Sequence, residues 1–390
     1  MQESISRRDT LRTSLAAAGV LALDWALPAL AQDETDVPFT DIPKTFNPNN
    51  PNATNRLLDI RKIDGPLTPK DQFFFTQHFN RPEIDAAAHR VQFSGLVNKP
   101  AEFSVADLRA MKATEITNGY ECSGNSARSM EGLASNGRFT GVRLTTLLKQ
   151  VGIHPTAREV VFFGADRGPL DINFRQQNYK LEQQFGRSMT LENANKPDVL
   201  VAYALNGEPL LRDQGAPVRL IVPGWYGVCN VKWLAEVHLQ EDRYLGNFQA
   251  RWYRTLRGVG GSGEDADPKT QWVETEVTRM HPKSVIARVR KSGGAYTVFG
   301  FALNDGTPLK SIEVQIDGGP WQAATLDKSN SQYSWKLFSY RWEGATPGEH
   351  TLVSRVTDAK GVTQPTAADL KTKKTFLEDN AQFPRKVMIG

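Results

Sequence analysis

Cysteine is almost missing from this chain: two residues in 390, Cys122 and Cys229. So few thiols exclude a disulfide scaffold, and with no Cys-x-x-Cys-His there is no point of attachment for a c-type haem. A Cys122–Cys229 bridge is allowed by the count, but nothing in the spacing demands it. No GxxxxGK followed by Ser or Thr occurs, and the glycine run Gly258–Gly263 reads as a linker, so nucleotide-binding readings lack support. Long apolar runs are missing too; Leu15 to Leu30 is too short to span a bilayer comfortably and no other segment comes close. The formal charge is only +4, and no lysine/arginine block is interleaved with aromatics. That excludes nucleic acid as the expected partner and suits a small anion.

What is present begins at the N-terminus. Ser6-Arg7-Arg8-Asp9-Thr10-Leu11-Arg12 is a twin-arginine pattern, followed by the apolar stretch and an Ala29-Leu30-Ala31 cleavage site. Residues 1–31 therefore read as an export signal that is removed, with an uncleaved anchor as the alternative. That route carries folded proteins, so the expected location is the periplasm, with no membrane association in the mature form and a cofactor inserted before export. The 359 residues that remain of 390 after removal of 31 are too many for one core and imply two domains.

The expected fold class is α+β: a mixed α/β domain followed by an all-β sandwich of immunoglobulin type. A Pro/Asn-rich arm, 32–69, precedes a domain over 70–257. Within it, Arg90–Val97 alternates like a strand and Ser104 caps a helix through Met111. Leu144–Val151 reads as a helix stopped by Gly152, and Glu159–Phe163 as a buried strand ending at Gly164-Ala165-Asp166; strands follow at Val199–Leu205 and Val218–Val222. A glycine-rich, acidic linker occupies 258–274. From 275 to 390, strand-like runs recur about every ten residues between Asp-Gly, Gly-Gly and Pro-Gly turns.

Cys122 lies in the polar turn Tyr120-Glu121-Cys122-Ser123-Gly124-Asn125. A thiolate is a soft metal ligand and a nucleophile, whereas an isolated cysteine is otherwise a small packed hydrophobe. The surrounding pattern favours the first role. Cys122-Ser-Gly-Asn125, Gly141-Val-Arg-Leu144, Asp198 through Asp213, Pro217-Val-Arg-Leu-Ile-Val-Pro-Gly224 and Asn230-Val-Lys-Trp-Leu234 together resemble the molybdopterin domain of the sulfite oxidase family. The tail resembles that family's dimerisation domain, so a homodimer is implied by resemblance alone.

The resemblance implies a Mo-molybdopterin cofactor with Cys122 as the one protein ligand to molybdenum. Arg219 and Lys232 would hold the pterin's phosphate and ring, and Asn230 and Val231 would offer backbone groups. Arg187-Ser188 falls at another cofactor-contacting turn. Gln77, His78 and Asp166 match pterin-bonding positions. Tyr253 matches the active-site tyrosine, and Arg251, Arg254 and Arg257 crowd the same segment. Departures from the pattern are equally specific. Thr76 stands where the family has arginine. Ser126-Ala127 displaces an arginine pair so that Arg128, the expected catalytic cation, comes one place later. Gln214 replaces a pterin-contacting histidine, and the tail's substrate arginine falls within Lys371–Lys374. Cys229 reads as a packed thiol.

The resemblance thus implies a haem-free dehydrogenase that oxidises sulfite to sulfate and passes electrons to an external cytochrome c. The alternatives are a sulfane-sulfur dehydrogenase or an S- or N-oxide reductase with the same cofactor and, from another class, a secreted binding module.

Overall fold

Leu144, Leu147, Leu148 and Val151 recur at helical spacing, and the segment Leu144–Val151 is a helix with all four fully buried. Each such side chain contributes roughly 1.5–3 kcal/mol relative to exposure. Gly152 ends the helix at φ 68°, its N–H donating to Leu148 O. Ser104 caps Val105–Ala110 through a reciprocal box with Asp107. Among the described residues the remaining α-helices, Leu191–Ala194 and Asn247–Ala250, are single turns. Strand therefore dominates the molecule, and the helical share implied by an α+β reading is small. The computed structural model describes residues 34–48, 55–261 and 267–390. The twin-arginine segment and its cleavage site lie outside the described residues. Among the described residues no helix is long and apolar enough to cross a membrane.

Two five-stranded sheets frame the first core. One runs Arg219–Ile221, Leu200–Leu205, Ala134–Arg143 and Thr114–Glu121, with Glu208–Pro209 paired beside Leu200–Leu205. The other runs Ala101–Ser104, Arg90–Gly95, Leu234–Gln240, Glu159–Phe174 and Gln177–Thr190, with Leu234–Gln240 parallel to Arg90–Gly95. The strand expected to stop at Gly164-Ala165-Asp166 does not stop. The register shifts between Phe163 and Arg167, and the chain continues as a hairpin to Phe174 and back from Gln177. Those three residues form a bulge rather than a turn, which re-aims Asp166 off the ladder.

The tail builds a second core from two sheets. Glu34–Val37, Lys283–Ser292, Ala295–Leu303, Lys336–Trp342 and Thr325–Leu326 form one; Gln322–Ala323, Leu309–Ile316, Gly348–Asp358 and Arg385–Ile389 form the other. Val289, Val298, Phe338, Val314, Leu352 and Val356 meet between them. The stretch read as a linker is partly ordered strand: Arg254–Val259 pairs with Gln271–Glu276, because Thr255 and Leu256 belong to an alternating segment that finds a partner. The N-terminal arm is not merely extended. Its first strand joins the tail's sheet against Lys283–Ser292, and Asp41 accepts from the fully buried Arg385 at 3.0 Å.

Candidate active site

Thr114–Glu121 delivers Cys122 to a tight turn. Cys122 N–H donates to Leu133 O and Asn125 N–H to Cys122 O, each at 2.9 Å. The Asn125 side chain braces this turn from within. Its amide donates to Glu121 Oε2 at 2.8 Å, and its oxygen accepts from Leu133 N at 3.0 Å and Ser129 Oγ at 2.8 Å. The asparagine of the Cys-x-Gly-Asn pattern is thereby explained: its side chain satisfies the turn.

Cys122 opens on a partly enclosed cavity. Separate stretches of the chain converge there: Phe74–His78, Tyr120 and Cys122, Asp166, Phe185, Asp213 and Arg219, Gly227 and Val228 with Asn230–Trp233, and Tyr253. Arg219 is 3% exposed, donating to Gln214 O and Asn230 O at 2.9 Å each. Lys232 Nζ donates to Asp213 O at 3.2 Å and lies 4.2 Å from the Trp233 ring centre. Burial, then the neighbouring Arg219, push its pKa down to about 7. Lys232 therefore holds its proton weakly until an anion joins it. Burial raises Asp166 to about 6, so its carboxyl is a poised donor as well as an acceptor.

Across the cavity, His78 Nε2 and the Tyr253 hydroxyl are 2.6 Å apart. The imidazole stacks on Phe248 at 4.4 Å between ring centres. Burial, then Lys232, lower His78 to about 4, so it is neutral near pH 7. Burial also holds the Tyr253 hydroxyl far above its ordinary range. Neutral partners at this distance share one proton-donating hydroxyl, held against an aromatic wall. The Cys122 thiol is pushed up to about 11 by burial. A soft cation would displace that proton, since coordination deprotonates a thiol outright.

The residues present fit a bound pterin and metal. Among the described residues, Arg219 Nε and Asp166 Oδ1 are buried without a hydrogen-bond partner, and both belong to cavity-lining side chains. Buried orphans of this kind call for a polar ligand. Among the described residues no group of three or more His, Cys, Asp or Glu converges to hold a metal ion. If Cys122 holds a metal there, further donors would come from the bound group itself.

Of the positions singled out in the sequence, Gln77, His78, Cys122, Asp166, Arg219, Asn230, Val231, Lys232 and Tyr253 line this cavity. Thr76, noted as a departure, lines it too, and the others sit elsewhere. Gln214 lies behind Arg219, its side chain accepting from Leu211 N and donating to Lys70 O. Arg187 is buried behind Tyr253, donating to Phe248 O and, at 2.7 Å, to Val277 O, with Cys229 Sγ 3.6 Å away. Ser188 donates to Glu159. The backbone groups of Asn230 are already engaged, its N–H with Gly227 O and its C=O with Arg219; Val231 O accepts from Leu220 N. Arg128 is exposed in the single turn Ala127–Ser129 and lines a separate open depression on the other side of the Cys122 turn, with Gly124, Lys373 and Phe376. Sequence reasoning missed Tyr120, Phe185 and Asp213 as lining residues. Their signal was local: Tyr120 sits two places before Cys122, and Asp213 six before Arg219, inside motifs already noted.

A family model described as an oxidoreductase molybdopterin binding domain matches residues 78–248. Mitochondrial sulfite oxidase of Homo sapiens is 28% identical over 349 residues, covering 79% of this chain and 59% of that protein. Sulfite oxidase of Arabidopsis thaliana is 25% identical over 348 residues, covering 78% and 83%. The NADH nitrate reductase of Ulva prolifera is 31% identical over 300 residues, covering 70% and 33%. The chain thus spans less than two thirds of the length of its human relative. In fold it is similar to the sulfane dehydrogenase SoxCD from Paracoccus pantotrophus, with a TM-score of 0.73, 22% identity and 95% of each chain covered.

Proposed function

Because the chain belongs to the sulfite oxidase family of molybdopterin-binding oxidoreductases, we propose that it oxidises a small sulfur oxyanion, sulfite foremost, in the periplasm. The observation that carries this reading is one cavity holding the Cys122 thiol, two crowded cations and a tyrosine–histidine pair. A molybdenum pterin bound there supplies two-electron oxo transfer, by which sulfite and water become sulfate, two protons and two electrons. The electrons pass singly to an external cytochrome c.

The chain's own residues bind, orient and exclude. Cys122 would ligate the metal. Arg219 and Lys232 would take the cofactor's phosphate, Lys232 regaining its proton as it does so. Asp166, through its unpartnered oxygen, would orient the pterin's ring donors. Tyr253 keeps its proton throughout and donates it, as a hydrogen bond, to His78 or to an oxyanion beside the metal. Phe185 and Phe248 stack about His78 and fix the plane of its ring. Arg128, on the open side of the Cys122 turn, would meet an arriving anion. The tail sandwich is read as immunoglobulin-type, its sheets following the A-B-E-D and C′-C-F-G orders, and as the surface of a homodimer.

The test is sulfite-dependent reduction of cytochrome c by molybdenum-loaded protein. Turnover with competitive inhibition by sulfate is expected; none in a fully loaded sample defeats the sulfite assignment. A sulfane-sulfur substrate is the second reading, favoured by Thr76 and Ala127, which lack the charge a dianion would need. SoxCD, similar in fold, is a sulfane dehydrogenase. Turnover with a sulfane donor but not with sulfite would select it.

A further inference from the structure

The tail reaches the Cys122 turn at two points. The first is a buried charge cluster. Lys283, at the start of the strand Lys283–Ser292, is 2% exposed and lies 3.2 Å from Glu121 Oε2 and 2.5 Å from Glu131 Oε2. Both carboxylates belong to the catalytic domain and flank the turn; Glu121 precedes Cys122 directly and accepts from Asn125. The second is a strap. Glu378 N–H donates to Ser123 O at 2.6 Å. Glu378 is 4% exposed and left-handed at φ 56°, and its Oε2 accepts from Thr255 Oγ1 at 2.7 Å and Arg257 Nη2 at 2.6 Å. Beside it, Phe376 Cε2 comes within 3.5 Å of where a Cβ on Gly124 would stand. A residue held in the left-handed region by three polar contacts is over-determined, which is how a fold fixes a neighbour's position.

We infer that Lys283 and Glu378 are positioning residues for Cys122: the tail clamps the ligand turn from below by the Lys283 cluster and from outside by the Glu378 strap. The inference rests on the reading of Cys122 as the metal ligand. A turn of six residues closed by local bonds alone would open easily; a buried ion cluster and a long-range amide bond raise the cost of opening. The tail is then part of the metal site and not only a surface for a second copy.

The test uses the full chain, with and without cofactor. Thr255→Val removes one hydroxyl from the strap and leaves the charges in place. Glu378→Gln weakens the strap further, and Lys283→Met strips the cluster while Lys283→Arg retains its charge. In cofactor-free protein, Thr255→Val and Glu378→Gln are expected to raise alkylation of Cys122 by iodoacetamide about tenfold, the loss of one hydrogen bond to a charged group. Deuterium uptake over 122–126 rises with it, while Cys229 stays unreactive. Val356→Ala, which loosens the tail's own core, lowers the melting temperature without changing Cys122. In loaded protein the Mo(V) electron paramagnetic resonance signal shifts in Lys283→Met and returns in Lys283→Arg. Unchanged Cys122 reactivity in folded Thr255→Val overturns the inference, as does a Val356→Ala effect of equal size. If the chain binds no molybdenum the reading of function fails, yet the alkylation arm still decides whether the clamp exists.

Discussion

At the scale of single residues, the cavity is a set of opposed charge costs. His78 is lowered to about 4 in the fold, so the folded chain binds fewer protons than the unfolded one between about 4 and 6.5. Its contribution to stability therefore rises with pH across that window. Asp166 is raised to about 6, so the folded chain binds more protons between about 4 and 6, and its contribution falls with rising pH. The slopes oppose each other. Relative to the parent, cofactor-free His78→Phe should lose stability as pH rises from 4 to 6, by an amount that solvent screening at this exposed ring reduces. The buried Asp166→Asn should gain stability over the same range, by on the order of 3 kcal/mol. Urea denaturation at several pH values checks this, and parallel profiles for both variants would sink it. Lys232 gives a second expectation. With its pKa near 7 in the empty fold, it is largely neutral at pH 8 and charged at pH 6. Binding the anionic cofactor at pH 8 should take up close to one proton, and at pH 6 almost none. Calorimetry in buffers of different ionisation enthalpy measures it, and Lys232→Met should abolish the difference. The identity of these residues was legible because each sat inside a recognisable run. Arg187, Ser188 and Gln214 were read as cavity residues for the same reason. Sequence order does not say which side of a strand end faces the cavity, and these three support it from behind.

At the scale of elements, pattern and cap chemistry carried furthest where local rules agree. The helix Leu144–Val151 and the Ser104 capping box follow from periodicity and capping alone. The hairpin after Phe163 did not, because Gly164-Ala165-Asp166 carries the composition of a stop. What overrides it is tertiary: Ala165 N–H donates to Trp233 O, so the bulge is pinned by the neighbouring loop. Its turn uses Arg175 and Gln176 at φ 50° and 67°, residues that give no turn signal. One glycine marks where backbone crowds the cavity wall. Gly215 has φ 95°, and a Cβ there would come within 2.8 Å of Lys232 Cα. Gly215→Ala is expected to cost more than about 1 kcal/mol from the left-handed conformation alone, and more from the clash. It should also weaken cofactor retention, because the displaced neighbour is Lys232. Denaturation midpoints and pterin content report the two effects separately; a stable variant with full pterin content would contradict the close approach.

At the scale of the whole molecule, the two-core organisation was legible from turn spacing and composition, but the ties between cores were not. Long-range pairs leave no periodic trace. Asp41 and Arg385 are such a pair, joining the arm to the last strand, with both Arg385 Nη atoms otherwise unpartnered among the described residues. Removing one member of a buried pair leaves the other charge uncompensated and costs about 3–5 kcal/mol. Asp41→Asn should destabilise the tail by that order in urea melts followed by Trp342 fluorescence. A shift under 1 kcal/mol would mean that water already serves Arg385.

The strap from Glu378 to Ser123 has a consequence in time as well as in space. Residues near the end of the chain close the turn that presents Cys122, and Tyr253 completes the cavity wall well after Cys122 has been made. During synthesis the ribosome releases the ligand turn long before the segment that fixes it. A nascent chain therefore carries an unfinished site for most of its translation, and contacts so distant in sequence form late. A chain that has reached Tyr253 but not Glu378 carries the thiol and the cavity wall without the strap that fixes the turn.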